Sequence, residues 1–68
     1  MKINVFIERE NKKKTLNLKN GSTTLDLLKS LNINPVTVIV SKNKELITED
    51  QKLRNKDEIK IHSVVSGG

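Results

Sequence analysis

One stretch of this chain carries helical spacing, and it is too short to stand alone. Leu25, Leu28 and Leu31, with Leu27 beside them, fall on one face of about two turns. A helix of that length does not persist in water without something to lie on. The segments around it repeat with period two instead. Ile3, Val5 and Ile7 alternate with Lys2, Asn4 and Phe6; Leu16 and Leu18 alternate with Thr15, Asn17 and Lys19. Val36, Val38 and Val40 alternate with Thr37, Ile39 and Ser41, and Ile59 and Ile61 open a last strand running to about Val65. One helix cannot cover both faces of a sheet. The expected class is therefore α+β, a mixed sheet of four to five strands with the helix on one face and the other face left to solvent or a partner.

Polar punctuation separates these elements. Glu8 to Lys13 reads as a loose hairpin loop, and the run Lys12-Lys13-Lys14 beside Asn11 as a solvated part of it. Asn20-Gly21 has turn chemistry, since both residues tolerate positive φ. Thr23-Thr24-Leu25-Asp26 has the form of a capping box with Asp in place of Glu. Asn32 and Asn34-Pro35 stop the helix, because Pro35 forces Asn34 to be extended. Lys42-Asn43-Lys44 and Asn55-Lys56-Asp57 read as turns, Glu45 to Thr48 as a short edge strand, and Glu49 to Leu53 as a turn or a single 3₁₀ turn.

Parity then sorts the faces. Ile3, Val5, Ile7, Leu16, Leu18, Val36, Val38, Val40, Ile59 and Ile61 are expected to point toward the helix. The same parity leaves Phe6, Ile39 and Val64 on the open face, with Lys60 and His62 beside them. Isolated exposed apolar residues are ordinary, but three from neighbouring strands form a patch of the kind used for docking. The competing account has Phe6 folding over the sheet edge to complete a thin core.

Composition excludes more than it suggests. A 68-residue chain buries only about 60% of the surface exposed when unfolded, too little for an enclosed active site beside a substrate domain. The absence of cysteine removes disulfides, thiolate nucleophiles and zinc fingers. His62 is the sole histidine, without a second His for a metal, and reads as a surface residue near the tail. Asp50, Asp57 and Glu58 read as loop or turn carboxylates, so no catalytic residue and no metal site are expected. Thirteen basic residues against eight acidic ones invite a nucleic-acid reading, yet Phe6 is the only ring on which a base could stack. No nucleic-acid partner is expected. The longest apolar run, Val38-Ile39-Val40, is far too short to span a bilayer, and the N-terminus lacks a signal-peptide pattern. A cytoplasmic protein, monomeric when free, is the expectation.

The sequence ends Val65-Ser66-Gly67-Gly68. Glycine has no Cβ, so a Gly-Gly end can thread a narrow channel and leaves its carboxylate sterically open. A frayed terminus would look the same in isolation. Together with Met1-Lys2-Ile3, Thr24-Leu25-Asp26-Leu27-Leu28, Val36 to Val40 and Asn55-Lys56-Asp57-Glu58-Ile59, however, this ending resembles the ubiquitin-like sulfur carriers of the ThiS/MoaD family and the small archaeal ubiquitin-like modifiers related to them. Two turns depart from the pattern: Asn43-Lys44 stands where Asn-Gly is frequent, and Lys56-Asp57 where Gly-Asp is frequent.

The resemblance implies a β-grasp domain over residues 1–65 and a flexible Ser-Gly-Gly tail over 66–68, with the hairpin crossing through the helix and the last strand inserted parallel to the first. It implies a protein that is not itself an enzyme and binds no cofactor. A partner activating enzyme would use ATP to adenylate the Gly68 carboxylate, and sulfide or persulfide attack would give a thiocarboxylate. Its sulfur would pass to a synthase making thiazole or molybdopterin, or to tRNA thiolation. Alternatively, a target lysine would take the acyl group and form an isopeptide bond. A non-covalent β-grasp binding module is the third reading. The implied activation site is Gly67 and Gly68, with Val65 and Ser66 as tail and Phe6, Ile39, Lys60, His62 and Val64 as partner-binding face.

Overall fold

The computed structural model describes residues 1–64. Its strands are β1 (Lys2–Ile7), β2 (Lys12–Asn17), β3 (Val38–Lys42), β4 (Glu45–Ile47) and β5 (Glu58–Ser63), with helix α1 (Thr24–Ser30) between β2 and β3. They form one sheet in the order β2-β1-β5-β3-β4. β1 and β5 run parallel, and every other neighbouring pair is antiparallel. This is the expected β-grasp arrangement, with five strands.

The helix is fixed at both ends by its own sequence and by one loop. Thr23 Oγ1 accepts from the Asp26 N–H at 3.3 Å, and Asp26 Oδ2 accepts from the Thr23 N–H at 2.9 Å, completing the capping box. The two remaining free N–H groups of the first turn donate outside the helix: Thr24 to the Gln51 carbonyl at 2.9 Å and Leu25 to the Glu49 carbonyl at 2.8 Å. At the other end Asn32 is left-handed (φ 58°). Its N–H donates to the Lys29 carbonyl and that of Ile33 to the Leu28 carbonyl, the paired bonds of a Schellman motif. Ile33 packs against the core.

Thr24, Leu27 and Leu28 are buried on the sheet, with Leu25 and Leu31 half-buried at the margins. The helix face is thus centred on Thr24, Leu27, Leu28 and Leu31, rotated from the Leu25–Leu28–Leu31 line. The core joins Leu27 and Leu28 to Ile3, Val5, Ile7, Val40, Ile59, Ile61 and Leu53.

Four sequence expectations need correction. Lys12, Lys13 and Lys14 are not loop: they form the first half of β2, opposite Ile7, Phe6 and Val5. The connection tightens instead into a 3₁₀ turn at Glu8–Glu10, closed by left-handed Asn11, so the strand begins earlier and ends at Asn17. β2 is an edge strand, and lysines there discourage edge-to-edge association. Val36 does not point inward. Pro35 and the Asn34 side chain, which accepts from the Val36 N–H, set a 3₁₀ turn at Pro35–Thr37 that leaves Val36 83% exposed. Leu53 anchors the Glu49–Leu53 segment in the core, making that segment the lid of the helix N-terminus and more than a polar turn. Asp57 is buried: its carboxylate accepts from the Arg54 N–H at 2.7 Å and from Asn43 Nδ2 at 3.4 Å, with Lys42 Nζ at 4.0 Å.

Asn43 (φ 50°), Lys44 (φ 73°) and Lys56 (φ 69°) are left-handed. The two lysines thus occupy the conformation that glycine adopts most easily. Replacing Lys56 with Gly should raise stability, by up to about 1 kcal/mol after the added freedom of the unfolded chain is subtracted. Leu53→Ala should lower it by about 2–4 kcal/mol, because a cavity opens and the lid over α1 loses its anchor. Urea denaturation monitored by circular dichroism measures both.

Candidate functional site

The face of the sheet opposite α1 collects the residues singled out from the sequence. Phe6 lies across from Lys13 on β2 and from Lys60 on β5. Lys60 in turn lies across from Ser41, and Ser41 from Leu46 on β4. One row therefore reads Lys13, Phe6, Lys60, Ser41, Leu46. Displaced by two residues along the strands, Ile39 faces His62. Beyond β5, the Val64 N–H donates to the Thr37 carbonyl, which continues the same alternation.

Phe6, Ile39, Lys60, His62 and Val64 are thus brought onto one surface. Phe6 is on an interior strand and half-buried, so it does not fold over an edge. Its ring carries the Lys60 ammonium 5.6 Å from the centroid, within cation–π range. Ile39 and Val64 are exposed, as is Leu46, whose parity the sequence reading did not assign. Alternation within Glu45-Leu46-Ile47 was the signal for it: Ile47 packs against the core, so Leu46 must turn away. Val65, Ser66, Gly67 and Gly68 lie outside the described residues.

His62 is more engaged than a surface residue. Its Nδ1 stands 2.8 Å from Glu8 Oε2 and its Nε2 3.3 Å from Ser41 Oγ. An ionised carboxylate only accepts, so Nδ1 carries a hydrogen and donates to Glu8. In the neutral ring Nε2 then accepts from the Ser41 hydroxyl.

The order Ser–His–Glu has the connectivity of a hydrolytic triad, but the surroundings do not support that chemistry. Such a triad needs backbone N–H donors aimed at a developing oxyanion. Ser41 lies in β3 between β5 and β4, so the N–H groups around it belong to the sheet ladders. The three side chains act as a clamp, holding the Glu8–Glu10 turn against the open face where β5 ends. Among the described residues no group of three or more His, Cys, Asp or Glu side chains is placed to hold a metal. No helix among them is long and apolar enough to cross a membrane.

A shallow groove occupies the middle of this face. Its lining includes Asn4, Phe6, Lys13, Thr15, Lys44 and Lys60. The described surface is thus an open sheet face that carries exposed Ile39 and Leu46 beside a lining that includes Lys13, Lys44 and Lys60.

Known proteins share this architecture along the whole chain. SAMP1 from Haloferax volcanii superposes with a TM-score of 0.78 at 16% identity, covering all of both chains. The thiamine biosynthesis protein ThiS from Geobacter metallireducens gives 0.71 at 19%, again over both whole chains. In sequence, the sulfur carrier protein TtuB of Thermus thermophilus is 30% identical over 56 residues, spanning 82% of this chain and 86% of TtuB. The ThiS family profile matches residues 2–68. The chain belongs to the ThiS family.

Proposed function

We propose that this protein is a ubiquitin-like sulfur carrier whose Gly68 carboxylate is the site of loading. The observation that carries the reading is the family match, whose span of residues 2–68 includes Gly67 and Gly68. The relative named as a sulfur carrier supports the same role. ThiS-family proteins are small carriers acted on by activating enzymes and sulfur-transfer partners; the chain is not itself an enzyme.

In the proposed reaction the Gly68 carboxylate attacks the α-phosphorus of ATP bound by the activating enzyme, and pyrophosphate leaves. The resulting acyl adenylate is a mixed anhydride. Hydrosulfide adds at its carbonyl carbon, AMP departs and the sulfur loses its proton, leaving a thiocarboxylate that can pass sulfur onward. A persulfide donor would first give an acyl disulfide, which a second thiol cleaves to the thiocarboxylate and a disulfide. The protein's part is presentation: the open face docks, and the Gly-Gly end reaches the enzyme because it has no side chains to exclude it.

Intact-mass analysis of the protein purified from its own cells tests the reading. The expected product gains the mass of one sulfur in place of one oxygen. A tryptic remnant of Ile61 to Gly68 on lysines of other proteins, with no thiocarboxylate, would point to a modifier instead. Adding one alanine after Gly68 should abolish adenylation; adenylation that survives it would sink the proposal. Ile39→Glu should lower the kcat/KM of activation about tenfold through the docking face. Since Ile39 is outside the core, its unfolding free energy should move by less than about 0.5 kcal/mol. Comparing adenylation kinetics with urea midpoints separates the two effects.

A further inference from the structure

The open face combines two kinds of surface that a simple apolar dock does not need. Lys13, Lys44 and Lys60 line its groove from β2, the β3–β4 turn and β5, against Glu58 as the single acid in the lining. Along the central row the order is basic, aromatic, basic: Lys13, Phe6, Lys60. Exposed Leu46 and Ile39 continue the apolar part toward β4. Lys44 adds a further observation. It holds φ 73° in the β3–β4 turn, where glycine would fit without strain, and it is one of the residues lining the groove.

We infer that this groove receives an acidic polypeptide segment of a partner, one in which carboxylates alternate with aliphatic side chains. The inference rests on the reading of the open face as a docking surface and specifies the chemistry of what docks. Carboxylates meet Lys13, Lys60 and Lys44, while aliphatic groups cover Phe6, Ile39 and Leu46. Opposite charge raises the encounter rate and fixes register, and the apolar contacts supply most of the holding energy.

A nucleic-acid strand fits these features less well. Phe6 is the one aromatic side chain of the protein, and a single half-buried ring is a poor platform for stacking successive bases. The apolar flank of Ile39 and Leu46 offers a phosphate backbone nothing.

The probe is a fluorescein-labelled peptide of alternating glutamate and leucine, titrated into the ¹⁵N-labelled protein without ATP or enzyme. Amide shifts are expected at Phe6, Lys13, Lys44 and Lys60. The pair Lys13→Gln and Lys60→Gln should weaken binding about tenfold, as removal of two charge contacts implies. Lys44→Gly should weaken binding severalfold while raising thermal stability, an effect that loss of fold cannot mimic. Lys56→Gly should raise stability and leave affinity unchanged. The charge-matched control, Lys29→Gln with Lys52→Gln, lies on α1 and beside its start and should change affinity less than twofold.

Equal loss in that control would reduce the effect to net charge and overturn the proposal. So would tighter binding of a single-stranded oligouridylate, or the absence of peptide binding. Because the titration involves no acyl transfer, such a failure leaves the loading of Gly68 standing. Conversely, peptide binding alongside failed adenylation would overturn the carrier reading alone.

Discussion

The parallel pairing of β1 with β5 is the joint on which the molecule depends. It matches Val5 to Ile59 and Ile7 to Ile61, residues from opposite ends of the chain. Remove it, and the β1–β2 hairpin is no longer joined to β5, β3 and β4. The joint is also what buries the core, since all four of those side chains sit beneath α1. Just before the ladder begins, the Lys56 N–H donates to the Lys2 carbonyl at 2.7 Å and the Lys2 N–H to Asn55 Oδ1 at 2.7 Å. The Asn55–Asp57 turn is therefore part of the joint, and the buried Asp57 carboxylate organises it from inside. Pairing across so much sequence carries the entropic cost of closing the intervening chain.

Elements governed by local rules were legible in the sequence. The capping box at Thr23 and Asp26, the stop at Asn32 and the alternation in β1 depend on residues within a turn or two of one another, and the structure has each of them. What escaped depended on partners far away or on competing local signals. The lysine run hid the start of β2, because charge dominates the pattern and the edge location that tolerates it is a tertiary fact. Val36 continued the valine alternation, yet Pro35 with the Asn34 side chain captured it for a 3₁₀ turn. Leu53 looked isolated among polar residues; its neighbours in the core come from other elements entirely.

The candidate site divides in the same way. Parity placed Phe6, Ile39, Lys60, His62 and Val64 on one face, since two-residue periodicity survives into the sheet. The clamp of Glu8, His62 and Ser41 was not legible, because Glu8 and His62 are separated by 54 positions and meet only through the β1–β5 joint. Family likeness adds what the described residues do not contain: the meaning of the Gly-Gly end. It also makes the left-handed Lys44 and Lys56 conspicuous, as departures that the backbone accepts at some cost.

The strand that leads to that end lies in the middle of the sheet, with β1 on one side and β3 on the other. Ladder hydrogen bonds run across the strands, perpendicular to their length in an antiparallel pair. A tug on the chain beyond Val64, directed along β5, therefore loads both ladders in shear, with many bonds sharing the force at once. An edge strand pulled outward would instead peel away bond by bond. Held between two ladders, β5 is placed to resist a pull along its length better than an edge strand would be.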